Sequence, residues 1–176
     1  QVLIDAKAAV DVEICDGYWL KLLREEKWSI QEEVSRLISA NWTPCHLLHL
    51  AVQKGHTSIV QMLIDAKATI DFADQDRRTA LHCAATNGDT SIMQILIDSK
   101  ASVDFVDDSR LSPLHYAAYH GHAAASRVLI DAKATVDVKD ASGNYPLHYA
   151  AWNMHTPTVK VLLEAKATVD LEGPGK

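Results

Sequence analysis

Apolar and polar positions alternate along this chain in blocks that return at a fixed spacing. The phrase Leu-Ile-Asp-Ala-Lys-Ala-Thr-Ile-Asp at 63–71 comes back at 96–104, 129–137 and 162–170 with small changes. Leu-His pairs stand at Leu48-His49, Leu81-His82, Leu114-His115 and Leu147-His148, each 33 residues from the last. Asp74, Asp107 and Asp140 keep that period, as do Gly55, Gly88 and Gly121. Self-similarity at such a period marks a solenoid of like supersecondary units.

Residues 107–139 show what one unit is. Asp107-Asp108-Ser109-Arg110 carries turn chemistry. Ser112 followed by Pro113 reads as a helix N-cap with proline at the first helical position. A short helix then runs from Leu114 to His120, and Gly121 stops it in the left-handed region. The second helix spans Ala123 to Asp131, with Val128, Leu129 and Ile130 expected inward. Ala134-Thr135-Val136-Asp137 leads out into an extended finger. The predicted fold is all-α: stacked helix-turn-helix units joined by β-turn fingers.

The segments Thr79-Ala80-Leu81-His82-Cys83-Ala84-Ala85-Thr86-Asn87-Gly88 and Ser112-Pro113-Leu114-His115-Tyr116-Ala117-Ala118-Tyr119-His120-Gly121-His122 carry a family resemblance. In this the chain resembles the ankyrin-repeat family, whose pattern runs Asp-x-x-Gly-x-Thr-Pro-Leu-His-x-Ala-Ala-x-x-Gly-His and, after a second helix, Gly-Ala-x-Val-Asn. The resemblance implies that the repeated histidine bonds between units. The pairs Ala84-Ala85, Ala117-Ala118 and Ala150-Ala151 are small enough to let helices approach closely.

The chain departs from that pattern in three places. Lysine replaces glycine after the second helix, at Lys67, Lys100, Lys133 and Lys166, with Lys7 in the partial first unit. A non-glycine residue in the left-handed region costs roughly 1 kcal/mol, so the exit turn differs or the lysines have a use. With Asp65, Asp98, Asp131 and Glu164 beside them they read as a solvated ladder, each exposed pair worth little. Aspartate ends the finger at Asp71, Asp104, Asp137 and Asp170. Met154 takes the place of the helix-stop glycine in the last unit, where a looser turn is expected.

The N-terminal part is irregular. Tyr18 to Lys27 reads as one helix, and Ser29-Ile30-Gln31-Glu32 as a capping box that starts another. The division expected is one ankyrin-like domain over 1–176. It comprises a partial unit at 1–12, a degenerate helix pair at 13–41, repeats at 42–73, 74–106, 107–139 and 140–171, and a tail at 172–176.

Charge and cysteine content narrow the function. Seventeen basic against twenty-three acidic residues give a net charge of −6, with no basic stripe, which argues against nucleic acid. No apolar run approaches the roughly 18 residues of a membrane helix. Cys15, Cys45 and Cys83 are unpaired in spacing, which fits a reducing intracellular compartment, cytoplasmic or nuclear. The chain opens on Gln1, as a monomeric domain of a larger protein would.

Catalytic and metal chemistry find no constellation. The repeat histidines His49, His82, His115 and His148 stand a helix-packing distance of about 8–10 Å apart, too far to share a metal. His120 and His122 have no third ligand nearby. Cys83 and His82 are adjacent on a helix and point apart. No cofactor, metal or catalytic residue is assigned, and the chain is expected not to be an enzyme.

The resemblance implies partner docking on the concave side, made of finger tips and first helices. The phase of the repeat puts Arg77, Arg78, Arg110, Leu111 and Asn144 on fingers, and Asn87, Tyr119, His120, Trp152 and Asn153 late on first helices. Tyr119 and Trp152 share a phase and should be neighbours, where earlier units carry Gln53 and Thr86. Aromatic residues and arginine dominate binding hot spots, so these ten are the candidate partner-binding set. Two other readings stay open: a small ligand or modified lysine on the Tyr119/Trp152 pair, or a spacer within a longer array.

Overall fold

The computed structural model describes residues 44–169. The expected partial unit, the degenerate helix pair and the tail at 172–176 lie outside the described residues, as does Lys7. Among the described residues the chain makes four helix pairs: α1 (Pro44–Gln53) with α2 (Thr57–Asp65), α3 (Ala80–Asn87) with α4 (Thr90–Asp98), α5 (Pro113–Tyr119) with α6 (Ala123–Asp131), and α7 (Pro146–Trp152) with α8 (Thr156–Glu164). First helices pack on first helices (α1 on α3, α3 on α5, α5 on α7), and second helices likewise. Each pair therefore touches only its neighbours, as the repeat period requires.

The core is one layer repeated. Leu81 and Leu114 from first helices, and Leu63, Leu96, Leu129 and Leu162 from second helices, are fully buried or nearly so. Burying one such side chain stabilises by about 1.5–3 kcal/mol. Ala84, Ala85, Ala117, Ala118 and Ala150 have no exposed surface, so first helices meet through methyl groups. Ala151 faces outward on the last pair. The inward face of α6 differs from the expected one. Leu129 is buried, but Val128 and Ile130 are half-buried, and Ala125 and Ser126 complete the face. In an α-helix three consecutive residues cannot share one side, and 125, 126 and 129 can.

Every exit turn keeps the left-handed conformation despite its lysine. The φ angles are 65° at Lys67, 74° at Lys100, 71° at Lys133 and 66° at Lys166. The turn is closed by two backbone bonds, such as Lys133 N to Ile130 O and Ala134 N to Leu129 O, both 2.9 Å. The following alanine is buried in each case, which completes the helix stop with an apolar contact. An ammonium group just past a helix C-terminus gains about 0.3–1 kcal/mol from the helix dipole, which offsets part of the cost of the conformation. Among the described residues the exit lysines and Asp65, Asp98, Asp131 and Glu164 are all exposed, as a solvated ladder requires, but no lysine–carboxylate ion pair joins them. Asp65 accepts from Gln61, Asp98 from Gln94, and Glu164 pairs with Arg127.

The turn at Met154 is not looser. Met154 has φ 58°, and His155 N to Ala150 O, 2.9 Å, matches His122 N to Ala117 O, also 2.9 Å. Glycine is needed at the equivalent positions for a different reason. A Cβ on Gly88 would lie 2.7 Å from the His122 ring, and one on Gly121 2.5 Å from the His155 ring. Met154 meets no such ring, and its side chain is 86% exposed.

Three ladders of hydrogen bonds tie the pairs together. The Nε2 atoms of His49, His82 and His115 lie 2.9, 3.1 and 3.4 Å from the carbonyls of Arg78, Leu111 and Asn144 in the next finger. His122 and His155 reach back to the carbonyls of Thr86 and Tyr119, each at 3.0 Å. Asp71, Asp104 and Asp137 accept the backbone N–H of Ser102, Thr135 and Thr168 one unit on. This last contact gives the finger aspartates a structural role: each carboxylate clasps the next exit segment.

Candidate partner-binding face

Fingers and first helices share one face, and an aspartate organises each finger. Asp107 Oδ1 accepts N–H bonds from Ser109 and Leu111, and Asp140 Oδ1 accepts them from Ser142 and Asn144. The tips carry left-handed residues: Arg77 (φ 59°), Arg110 (φ 61°) and Gly143 (φ 84°). Neighbouring fingers join through Asp108 N to Asp76 O, 3.2 Å, and Ala141 N to Ser109 O, 2.9 Å.

The second oxygen of each aspartate meets a different partner from pair to pair. Arg78 Nε donates to Asp74 Oδ2 at 3.0 Å, and the guanidinium also pairs with Asp76. The Tyr116 hydroxyl donates to Asp107 Oδ2 at 2.7 Å, and that of Tyr149 to Asp140 Oδ2 at 2.6 Å. Burial and the bond to its carboxylate push the Tyr149 phenol up to about 12 and the Tyr116 phenol higher. Burial would raise Asp140, but hydrogen bonds from Tyr149 and Asn144 outweigh it and hold the carboxyl below its usual range.

Those two tyrosines belong to an aromatic surface. Tyr149 packs edge-on to Tyr119 at 6.0 Å and to Trp152 at 5.6 Å between ring centroids. Trp152 also stacks on His148 at 5.8 Å. Tyr119 is 49% and Trp152 61% exposed. Beside Tyr119 and Tyr149 opens a cavity of about 230 Å³, lined by Leu111, His115, Tyr116, Tyr119, His120 and Tyr149.

A family model described as "Ankyrin repeats (3 copies)" matches residues 21–107, 48–140 and 87–172. The chain belongs to the ankyrin-repeat family. Nothing among the curated proteins matches it at a significant level. Ankyrin repeats are protein-interaction modules as a family. No helix of the described residues is long and apolar enough to cross a membrane.

The ankyrin face brings some of the expected residues together and removes others. Tyr119, His120 and Leu111 are walls of one cavity. Tyr119 and Trp152 share the face, and both lean on Tyr149, a residue outside the expected set. Its signal was in the sequence: Cys83, Tyr116 and Tyr149 share a phase, and only the last two can reach a carboxylate. Asn144 is corrected outright. It is 8% exposed, its amide donates to Asp140 and its carbonyl faces His115, so it holds the finger and presents no side chain. Arg78 is half-buried in its own ion pairs, whereas Arg77 lies 5.8 Å over the Phe105 ring. Arg110 is exposed at its tip. The amides of Asn87 and Asn153 are engaged, the first with the carbonyls of Val52 and Gln53, the second with that of Tyr149.

Three groups, His82, His115 and Cys83, are held in their neutral forms. The backbone N–H of Thr79 donates to His82 Nδ1, and that of Ser112 to His115 Nδ1, so each ring is neutral with its proton on Nε2. Burial lowers the pKa of His82, and brings His115 down to about 4. Burial raises the Cys83 thiol to about 11, so it carries no thiolate at neutral pH. Among the described residues no three of His, Cys, Asp and Glu are grouped to hold a metal ion.

Proposed function

We propose that this ankyrin chain is a non-catalytic scaffold of the cell interior that binds a protein partner on its concave face, at the third and fourth helix pairs. The observation that carries the proposal is the exposure of Tyr119 and Trp152 on one face beside a cavity. Large aromatic rings exposed together on a soluble surface mark contact sites. The cavity, at about 230 Å³, is smaller than the roughly 300–1,000 Å³ of a drug-sized ligand site and suits one side chain of a protein.

The test compares two measurements on one variant. Trp152→Ala should weaken partner binding by about tenfold or more, since a truncated aromatic anchor costs about 2 kcal/mol or more. It should shift the melting temperature little, because the ring is mostly in solvent. The partner set comes from affinity capture with wild-type and Tyr119→Ala/Trp152→Ala chains side by side. Proteins held equally by both would overturn the assignment of this face. No retained protein at all would favour a spacer. If Trp152→Ala unfolds the last pair, the ring belongs to the core and the site is misplaced.

A further inference from the structure

The walls of the cavity sit beside two buried carboxylates that no cation pairs with among the described residues. Asp107 and Asp140 are 6% and 7% exposed. Among the described residues no ion pair reaches either, and their bonds come only from neutral donors: backbone N–H groups, the Asn144 amide and two phenols. Asp74, at the same phase one unit earlier, is neutralised by Arg78. Both uncompensated charges act on the cavity walls, since Asp107 and Asp140 each bear on the titration of His115 and Tyr149. A further acceptor, Asn144 Oδ1, is buried near Asp140 without a donor. At the finger tip Asp108 and Arg110 are both exposed, and Arg78 bears on the titration of Tyr116 in the opposite sense to Asp107 and Asp74.

Tyrosine rings whose hydroxyls donate to carboxylates are richer in π-electron density, which favours a cation over their faces. A hydrophobic wall set in a negative field suits a weakly hydrated, planar cation better than a compact ammonium ion or an alkyl group. We infer that the cavity between the third and fourth pairs seats an arginine side chain of the protein partner, its guanidinium stacked among Tyr116, Tyr119 and Tyr149. The inference rests on the concave face being the binding face, and adds the chemistry of the anchor that fills it.

The test uses the full 176-residue chain and capped pentapeptides of glycine with one central residue: arginine, citrulline, lysine, trimethyl-lysine, leucine or phenylalanine. Amide and aromatic resonances are followed by NMR during each titration at low salt. The arginine probe should shift the signals of His115, Tyr119, His120 and Tyr149, and citrulline, its neutral isostere, should bind roughly tenfold more weakly. Tyr119→Ala should abolish the arginine response while the rest of the spectrum stays folded. Asp140→Asn should weaken arginine and leave leucine unchanged. Citrulline or leucine matching arginine would overturn the cationic seat, as would arginine shifts that survive Tyr119→Ala. Tighter binding of trimethyl-lysine than arginine would overturn the choice of cation. The wider proposal is decided separately, by the partner affinity of the Trp152→Ala chain, which leaves Tyr119 in place, so either can fail alone.

Discussion

The second and fourth helix pairs solve the same problem with different side chains. Each must hold a finger whose aspartate has one oxygen occupied by the turn and one free. In the second, Cys83 stands where the third and fourth pairs have tyrosine, and Arg78 folds back to take the Asp74 oxygen. In the fourth, Tyr149 rises from its helix to Asp140, and the position of Arg78 is filled by Asn144. An internal cation leaves the second pair electrostatically closed and its surface polar, with Thr86 at the phase of Trp152. A phenol satisfies the oxygen without cancelling its charge, and it brings a ring to the surface on which Tyr119 and Trp152 rest. The scaffold is constant. What varies is whether the finger's charge is neutralised from within, and that variation goes with where aromatic rings come to the surface.

The shared scaffold gives the sharpest way to break the comparison. Leu96 and Leu162 have no exposed surface and hold the same place in α4 and α8. Truncating either to alanine should cost about 2–5 kcal/mol, from lost burial and the cavity left behind. Urea unfolding of Leu96→Ala and Leu162→Ala should give penalties of similar size. A large difference would mean that the two regions differ in their cores and not only in their surfaces.

Much of this layout was legible in the sequence, for a physical reason. The 33-residue period fixes which side chains meet, because each pair packs on a near copy of itself. The stops at Gly88 and Gly121 and the shared phase of Tyr119 and Trp152 follow from the period, and the histidine ladder from the family resemblance. What phase cannot show is where a polar group spends its hydrogen bonds. Asn144 has the phase of an exposed finger residue, but a buried carboxylate four residues back draws it in. The exit lysines have the side chain of a surface residue and the backbone of a glycine, and only the observed φ angles join the two facts. The same holds for Arg77 and Arg110, which occupy the finger-tip glycine position of the ankyrin pattern. The phase of Tyr149 places its ring on a first helix but does not show that its hydroxyl reaches the Asp140 carboxylate.

Acid should expose the histidine ladder next. His115 is neutral and buried, with Nδ1 accepting from Ser112 and Nε2 facing Asn144. Burial lowers its pKa from 6.5 to about 4, although Asp140 and Asp107 pull the other way. The unfolded chain therefore binds a proton that the native state refuses in the window between these values. Stability from this group is complete above about pH 6.5, falls as pH drops toward 4, and changes no further below that. The full loss is about 3 kcal/mol at 1.36 kcal/mol per pKa unit. His82 is shifted in the same direction and adds to the trend. Urea midpoints from pH 7.5 to 4, with the His115 imidazole followed by NMR, would check it. A His115 ring that titrates near 6.5 in the folded chain would refute the buried ladder.

The smallest effect bears most directly on how the two fingers are held. Tyr149→Phe deletes one donor to Asp140, which keeps the Asn144 amide and its backbone bonds. A hydrogen bond of this kind is worth about 1 kcal/mol net. Arg78→Leu deletes the ion pair to Asp74 and Asp76, but that guanidinium side chain is 41% exposed. Solvent screening limits such a pair to about 0.5 kcal/mol. The two should also respond differently to salt. Raising the ionic strength shortens the Debye length from about 10 Å at 0.1 M to a few ångströms at 1 M, which weakens an exposed ion pair and leaves a short phenol–carboxylate bond nearly untouched. Urea unfolding of both variants at about 0.05 M and 1 M sodium chloride separates them. The Arg78→Leu penalty should vanish at high salt while that of Tyr149→Phe persists. If both vanish, the phenol contributes through charge alone. If both persist, Arg78 is shielded from solvent, and the second finger is closed by a buried pair instead of a screened one.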